Sequence, residues 1–227
     1  DCRGDLMAAQ HRLTHLLLRR GIVYYGGHPW TGDHRIWLRQ QHFDRPALQT
    51  TFDEAFDAVL VAAARRDRFD DAIAAMAADC EFTPVITRLG CLRGISTLTA
   101  FGMATEIGDW HRLTGRSIGN YLGLVPTEYS SGASRSQGGI TRTGNTHVRR
   151  LLIEAAWQHR KPYRPGVTLR RRWDAASPAA RARGHEGNQR LHKRWMGFDQ
   201  RKKRPVIANA AVARELAAWC WSLAVLD

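Results

Sequence analysis

Leu6, Ala9, Leu13, Leu16 and Leu17 recur at three-to-four-residue spacing, while Arg12, Arg19 and Arg20 lie off that stripe. This pattern predicts an amphipathic packing helix that Gly21 ends. Residues 22–45, with GGHPW, TGD and FDRP, are rich in turn formers and read as an irregular connector. From Pro46 to about Cys80 a long helix is expected. Pro46 suits a first turn, and Leu48, Phe52, Phe56, Leu60 and Ala63, then Phe69, Ile73 and Met76, form its apolar stripe. The opposite face is mostly Asp, Glu, Arg and Ala, as in a coiled-coil-like helical arm.

After Pro84 the texture changes to short apolar helices separated by glycine-containing turns, CLRGISTLTAFGMATEIGDWHRLTGRSIGNYLGLVP. Residues 129–145, YSSGASRSQGGITRTGN, have almost no apolar content and read as a Gly/Ser-rich loop entered just after Pro126. Asn145 or Thr146 then caps a helix to about Arg160 with Val148, Leu151, Leu152 and Ala155 on its buried side. A basic, turn-rich stretch follows. A last helix, Val206 to about Leu226, presents Val212, Leu216, Trp219 and Leu223. With no repeat and no strong strand pattern, the fold class is mainly α: a helical arm over residues 1–87 and a small helical domain over 88–227.

Charge changes this picture more than composition does. Hydrophobic residues are 44% and charged residues 24% of 227, ordinary for a chain with a packed core, which excludes global disorder. The formal net charge is +13, and residues 135–204 hold 19 of the 34 Lys+Arg but 4 of the 21 Asp+Glu. A one-sign block of this kind points to a polyanion, DNA or RNA before an anionic membrane. Cys2, Cys80, Cys91 and Cys220 stand far apart, without the spacing of a zinc ribbon or a disulfide framework. No membrane span or signal sequence is read, and a reducing cytoplasmic location is expected. The chain opens on Asp1, already inside the first helix pattern, so a preceding segment is expected.

Two stretches could carry chemistry. Arg93-Gly94-Ile95-Ser96-Thr97 joins two predicted helices as in a helix-hairpin-helix, where Gly94 makes the turn and amides near Thr97 hold a phosphate. Ser96 replaces that motif's second glycine, and an ordinary helical hairpin reads equally well. In the loop, Ser130, Ser131, Ser134, Ser136, Thr141 and Thr143 offer hydroxyls, four glycines let amides approach a ligand, and Arg135 and Arg142 supply charge. A flexible linker is the competing reading. His147, His159, His185 and His192 read as phosphate or solvent contacts. The carboxylates of residues 85–227 form no recognisable metal cluster, and Glu106 and Asp109 read as residues that cap or close a helix.

Thr99-Ala100 through Glu106-Ile107-Gly108-Asp109, Tyr121-Leu122-Gly123-Leu124-Val125-Pro126, Ser131-Gly132, Gly139 through Asn145 and Val148-Arg149-Arg150-Leu151-Leu152 occur in this order. Together they resemble the C-terminal domain of insertion-sequence transposases related to the Piv invertase, the DEDD-type recombinases associated with a bridge RNA. The resemblance covers about residues 88–227. Residues 1–87 resemble the segment preceding that domain in such proteins.

The resemblance implies DNA transposition by a serine nucleophile, Ser131 with Ser130 as the neighbouring alternative. Arg135, Arg142, Asn145, Arg149 and Arg150, with Gly94 and Thr97, would contact nucleic acid. It also implies Mg²⁺ held by four acidic residues of an N-terminal RuvC-like domain, a possible guide (bridge) RNA and a homo-oligomer. The family's acidic motifs, among them a Lys-Thr-Asp-x-x-Asp-Ala run, are absent from residues 1–227. The expectation is therefore a transposase part that is inactive alone, with a non-catalytic remnant that only binds nucleic acid as the alternative.

Overall fold

The computed structural model describes residues 2–131, 134 and 136–226. They fold as two compact units, residues 1–72 and 73–227, which divide inside a helix, whereas the boundary expected from sequence falls at 87/88.

In the first unit, helix α1 (Cys2–Leu18) buries the five residues of the predicted stripe, Leu6, Ala9, Leu13, Leu16 and Leu17. The expected connector contains a helix, α2 (Gly32–Arg39), which corrects the reading of 22–45. Thr31 explains it: its hydroxyl caps the first turn by accepting from the His34 amide, and His34 and Leu38 are buried one turn apart. The long helix α3 (Pro46–Ala78) is present, and its Phe52 and Val59 close the core of the first unit with Leu38 and α1. Its later stripe is not a buried one. Phe69 and Met76 are 48% and 50% exposed.

The second unit is built from α4 (Thr83–Leu89), α5 (Thr97–Ile107), α6 (Ser117–Tyr121), α7 (Thr146–Ala156), α8 (Val167–Asp174), α9 (Pro178–Gln200) and α10 (Pro205–Ala224). Helix α10 is central, packing on α9, α7, α4 and α6. It buries Ala208, Val212, Ala213, Leu216, Ala217, Cys220 and Leu223, the predicted apolar side, while Trp219 is half-buried.

The basic stretch 161–204 is mostly helical rather than turn-rich. Ser177 caps α9 through the Ala180 amide, Pro178 occupies the first turn, and the buried side consists of Ala180, Gly184, Gly187, Asn188, Leu191 and Trp195. Gly184 seats on the backbone and Cβ of Cys91, and Gly187 on the ring of Trp219. Cys91 and Cys220 lie fully buried in this core, and burial raises both thiols, Cys91 to about 11.

The described residues of the Gly/Ser-rich segment are not all loop. Strands β1 (Pro126–Glu128) and β2 (Gln137–Ile140) pair antiparallel with Pro126 opposite Ile140 and Glu128 opposite Gln137, and Ser131 and Ser134 close a bridge beyond them.

Candidate nucleic-acid interface

The hairpin projects Ser131 to solvent. Its amide donates to the Ser134 carbonyl at 3.1 Å and the Ser134 amide returns the bond at 3.0 Å. The Ser131 hydroxyl has no hydrogen-bond partner among the described residues. Ser130 differs, because its hydroxyl donates to Glu128 Oε1 at 2.8 Å. Arg135 lies outside the described residues.

The base of the hairpin is locked where two backbone segments cross. The Thr141 amide donates to the Val125 carbonyl at 2.9 Å and the Arg142 amide to the Gly123 carbonyl at 3.1 Å. Gly123 and Gly144 have φ of 62° and 70°. A Cβ on Gly123 would stand 2.5 Å from Thr143 N, and one on Gly144 would overlap the Tyr121 carbonyl oxygen. Only glycine combines that left-handed backbone with such an approach. The Arg149 guanidinium pins the crossing from below, donating through Nη1 to the carbonyls of Leu122 at 3.0 Å and Thr143 at 2.7 Å.

Arg149 is 8% exposed, so the structure places it inside the scaffold and not among the surface guanidiniums. A signal for this was available: Val148, Arg149, Leu152, Ala155 and Ala156 share one helical face. Arg150 is exposed and, like exposed Arg142, has no ion-pair partner among the described residues. Asn145 caps α7 by accepting from the Val148 amide at 2.9 Å, while its Nδ2 donates to Glu106 Oε2 at 2.7 Å. His147 Nδ1 reaches Glu106 Oε1 at 3.0 Å, and these two hydrogen bonds hold the Glu106 carboxyl below its ordinary range. Glu106 thus ties the helix start to α5, beyond the helix-closing role read from sequence. No hydrogen bond joins Ser131 to Arg142, Asn145, Arg149 or Arg150 among the described residues.

The other predicted contact, the α4–α5 turn, is a tight one. Gly94 has φ of 85°, and a Cβ there would stand 2.5 Å from the Ala155 carbonyl oxygen, so the turn rests on α7. Ser96 caps α5 by accepting from the Thr99 amide at 3.2 Å, and Thr97 is exposed at the first position of that helix.

The histidines separate into different environments. His159 is 1% exposed, neither ring nitrogen has a hydrogen-bond partner among the described residues, and its pKa falls to about 4 through burial first and the neighbouring Arg93 and His192 charges. It is a core residue, contrary to its reading as a phosphate or solvent contact. His185 Nδ1 bonds the Tyr163 hydroxyl and His192 Nδ1 lies 3.0 Å from the His159 carbonyl. Part of the basic block is likewise engaged internally: Arg190 and Arg194 both pair with Glu215, and Arg183 holds Ser222 and Glu186 while stacking 4.3 Å from the Trp219 ring.

No three or more His, Cys, Asp or Glu side chains among the described residues form a group able to hold a metal ion. The Mg²⁺ that the resemblance implies is assigned by it to an N-terminal RuvC-like domain, not to residues 1–227. No helix is long and apolar enough to cross a membrane.

This hairpin, the glycine crossing and the α4–α5 turn lie within one stretch of sequence that also has known counterparts. Residues 87–166 match the Transposase IS116/IS110/IS902 family. The match takes in all five ordered motifs but not the chain's later helices, α8 to α10. Along 220 residues, 96% of the chain, the protein is 34% identical to y4qE of Sinorhizobium fredii, which is named as a transposase, and covers 53% of it. It is 28% identical over 207 residues to the transposase for insertion sequence element IS1533 of Leptospira borgpetersenii, 89% of this chain and 59% of that one. The transposase for insertion sequence element IS1328 of Yersinia enterocolitica matches over 82 residues at 39% identity, 35% of this chain and 25% of that one. The chain thus spans 53% and 59% of the length of the two transposases that it matches along most of its own length.

Proposed function

We propose that this chain is the part of an insertion-sequence transposase that grips DNA and presents the attacking serine. The observation that carries the reading is the clamped hairpin inside the family-matching segment. Ser131, at the far end of the paired strands, is exposed, while the base is fixed by Gly123, Gly144 and the buried Arg149 guanidinium. A nucleophile that must meet a bulky phosphodiester needs both exposure and a rigid support.

In the proposed step the Ser131 Oγ bonds to phosphorus, the bond from phosphorus to one sugar oxygen breaks, and that oxygen leaves as a hydroxyl with a proton. A strand-end hydroxyl reverses the step on rejoining and releases Ser131. Exposed Arg142 and Arg150, Thr97 beside the Gly94 turn, and Arg135 would contact phosphates along the strand. Asn145 and Arg149 act through the scaffold, holding the hairpin base and α7. A guide RNA and a second copy of the chain are the partners that the resemblance adds.

The Ser131 hydroxyl lacks an activating partner among the described residues, so residues 1–227 alone are expected to give no strand cleavage. The test supplies the family's acidic domain in trans and looks for a denaturation-resistant protein–DNA adduct on labelled insertion-sequence ends. Ser131→Ala should abolish the adduct and Ser130→Ala should retain it. An adduct that survives Ser131→Ala but not Ser130→Ala moves the nucleophile to the serine already bonded to Glu128. DNA binding with no adduct from any variant selects a second reading, binding without chemistry, which the unpaired surface cations alone would support.

A further inference from the structure

A cleft of about 530 Å³ opens on the second unit between the α4–α5 turn, α7 and the start of α8. Its volume is within the range of about 300–1,000 Å³ typical of sites for small ligands. Three arginines line it, Arg93, Arg164 and Arg172, against one carboxylate, Glu154. None of the three has an ion-pair partner among the described residues. Two are oriented by neutral groups. Arg93 Nη1 donates to the carbonyls of Lys161 and Pro162, both at 3.0 Å, and Arg172 donates to the Ile95 carbonyl. A guanidinium held by carbonyls keeps its full charge while losing its freedom to swing away, which lowers the cost of engaging an anion. Arg164 is exposed, with no hydrogen-bond partner among the described residues.

The remaining lining matches the rest of a nucleotide. The Ser96 and Thr99 hydroxyls stand at one wall and Thr168 at another, and Leu151, Val167 and Leu169 give apolar surface against which a sugar or base can lie. Helices α5 and α8 both start at this cleft, and the N-cap of α8 is Gly166, which offers no side-chain cap, so the first amides of α8 remain available. These amides reinforce the arginines; the convergence of three unneutralised cations into one hollow is the principal observation.

Shape separates the possible nucleic-acid ligands. Duplex is read by elements that protrude into a groove about 12 Å wide. A concave hollow cannot enter a groove, but it can receive a nucleotide that has left its pair. We propose that the cleft between α5, α7 and α8 is a site for one unpaired nucleotide of a DNA or RNA strand, held through its phosphate by Arg93, Arg164 and Arg172. The inference rests on the reading that this chain works on nucleic acid, and adds to it a site separate from the Ser131 hairpin.

Arg164→Ala is the cleanest probe, because that side chain is exposed and has no hydrogen-bond or ion-pair partner among the described residues. Binding of the whole 227-residue chain is measured by fluorescence anisotropy with short single-stranded DNA and RNA oligonucleotides and with the corresponding duplex, across a salt series. The variant is expected to lose about ten-fold in affinity for either single strand, the worth of one charge-assisted contact. It should also lose about one unit from the slope of log affinity against log salt. Duplex affinity should not change. Thr168→Glu tests the same cleft without removing an arginine; a carboxylate in the first turn of α8 suits the helix, so circular dichroism should stay unchanged while single-strand binding falls similarly.

Single-strand affinity that survives both substitutions overturns the proposal, as does an equal loss on duplex. Stronger competition by an acidic peptide than by a single strand would assign the cleft to a protein partner and overturn it too. The two levels fail differently. If the unsubstituted protein binds no nucleic acid, the functional reading falls along with the cleft; if it binds and the variants bind equally well, the cleft alone falls.

Discussion

Replacing Gly144 by alanine tests whether the hairpin is held at its base by steric necessity. Gly144 has φ of 70°, and the added Cβ would overlap the Tyr121 carbonyl oxygen and stand 3.0 Å from its carbon. The left-handed backbone costs a residue with a Cβ about 1–2 kcal/mol. Relieving the overlap means displacing backbone on one side of the crossing, and forced shifts of this kind cost about 1–3 kcal/mol. Neither side moves freely, because Arg149 donates to carbonyls on both, Leu122 and Thr143. The expected loss is therefore about 2–5 kcal/mol, a large share of the roughly 5–15 kcal/mol that stabilises a typical domain. Urea unfolding followed by tryptophan fluorescence reads it, since most of the tryptophans lie in the second unit. Gly139→Ala is the control: nothing lies within 4 Å of its Cβ position, so its change should stay within about 0.5 kcal/mol. A Gly144→Ala protein as stable as the parent, or a control that loses as much, would refute the account of the crossing.

Two further substitutions separate scaffold from surface. Arg149→Met should destabilise the second unit by about 1.5–3 kcal/mol by leaving two inward carbonyls without their charged donor, measured by the same urea titration; intact stability with weakened DNA binding would instead make Arg149 a phosphate contact. His159 predicts a pH dependence: its folded pKa of about 4 lies below the ordinary 6.5, so the unfolded chain takes up a proton that the folded core refuses. Stability from this group is complete above about pH 6.5 and is lost as pH falls towards 4, by up to roughly 3 kcal/mol. His159→Phe should flatten that slope, and an unchanged slope would show that other groups cause it.

Legibility from sequence followed the size of the buried side chains. Helix α1 was readable because its stripe is leucine, and α10 because Val212, Leu216 and Leu223 mark one face. Helix α9 was hidden because the first half of its buried face uses Ala180, Gly184, Gly187 and Asn188, small or polar residues, with the large Leu191 and Trp195 only in the second half. The glycines read as turn formers until Cys91 and Trp219 are seen resting on them. The same bias concealed α2, whose cap Thr31 sits among turn residues, and β2, where Gly138 and Gly139 have little strand preference. Phe69 and Met76 show the converse. Their spacing fits a helix face, yet spacing alone does not say what covers it. In the site, Ser131 could be singled out through the ordered motifs but not from its own surroundings. The roles of Arg149 and Asn145 depend on which carbonyls and carboxylates the fold brings to them, information that no local pattern contains.

The sealing of Cys91 and Cys220 has a practical corollary. Both thiols are fully buried, one beneath the glycine face of α9 and the other in α10, and both are held protonated by burial, whereas Cys2 and Cys80 are partly accessible. An alkylating reagent can reach the sealed pair only while the surrounding helices are apart, because the reactive species is the thiolate. Their labelling rate is consequently an internal clock for how often this unit breathes open.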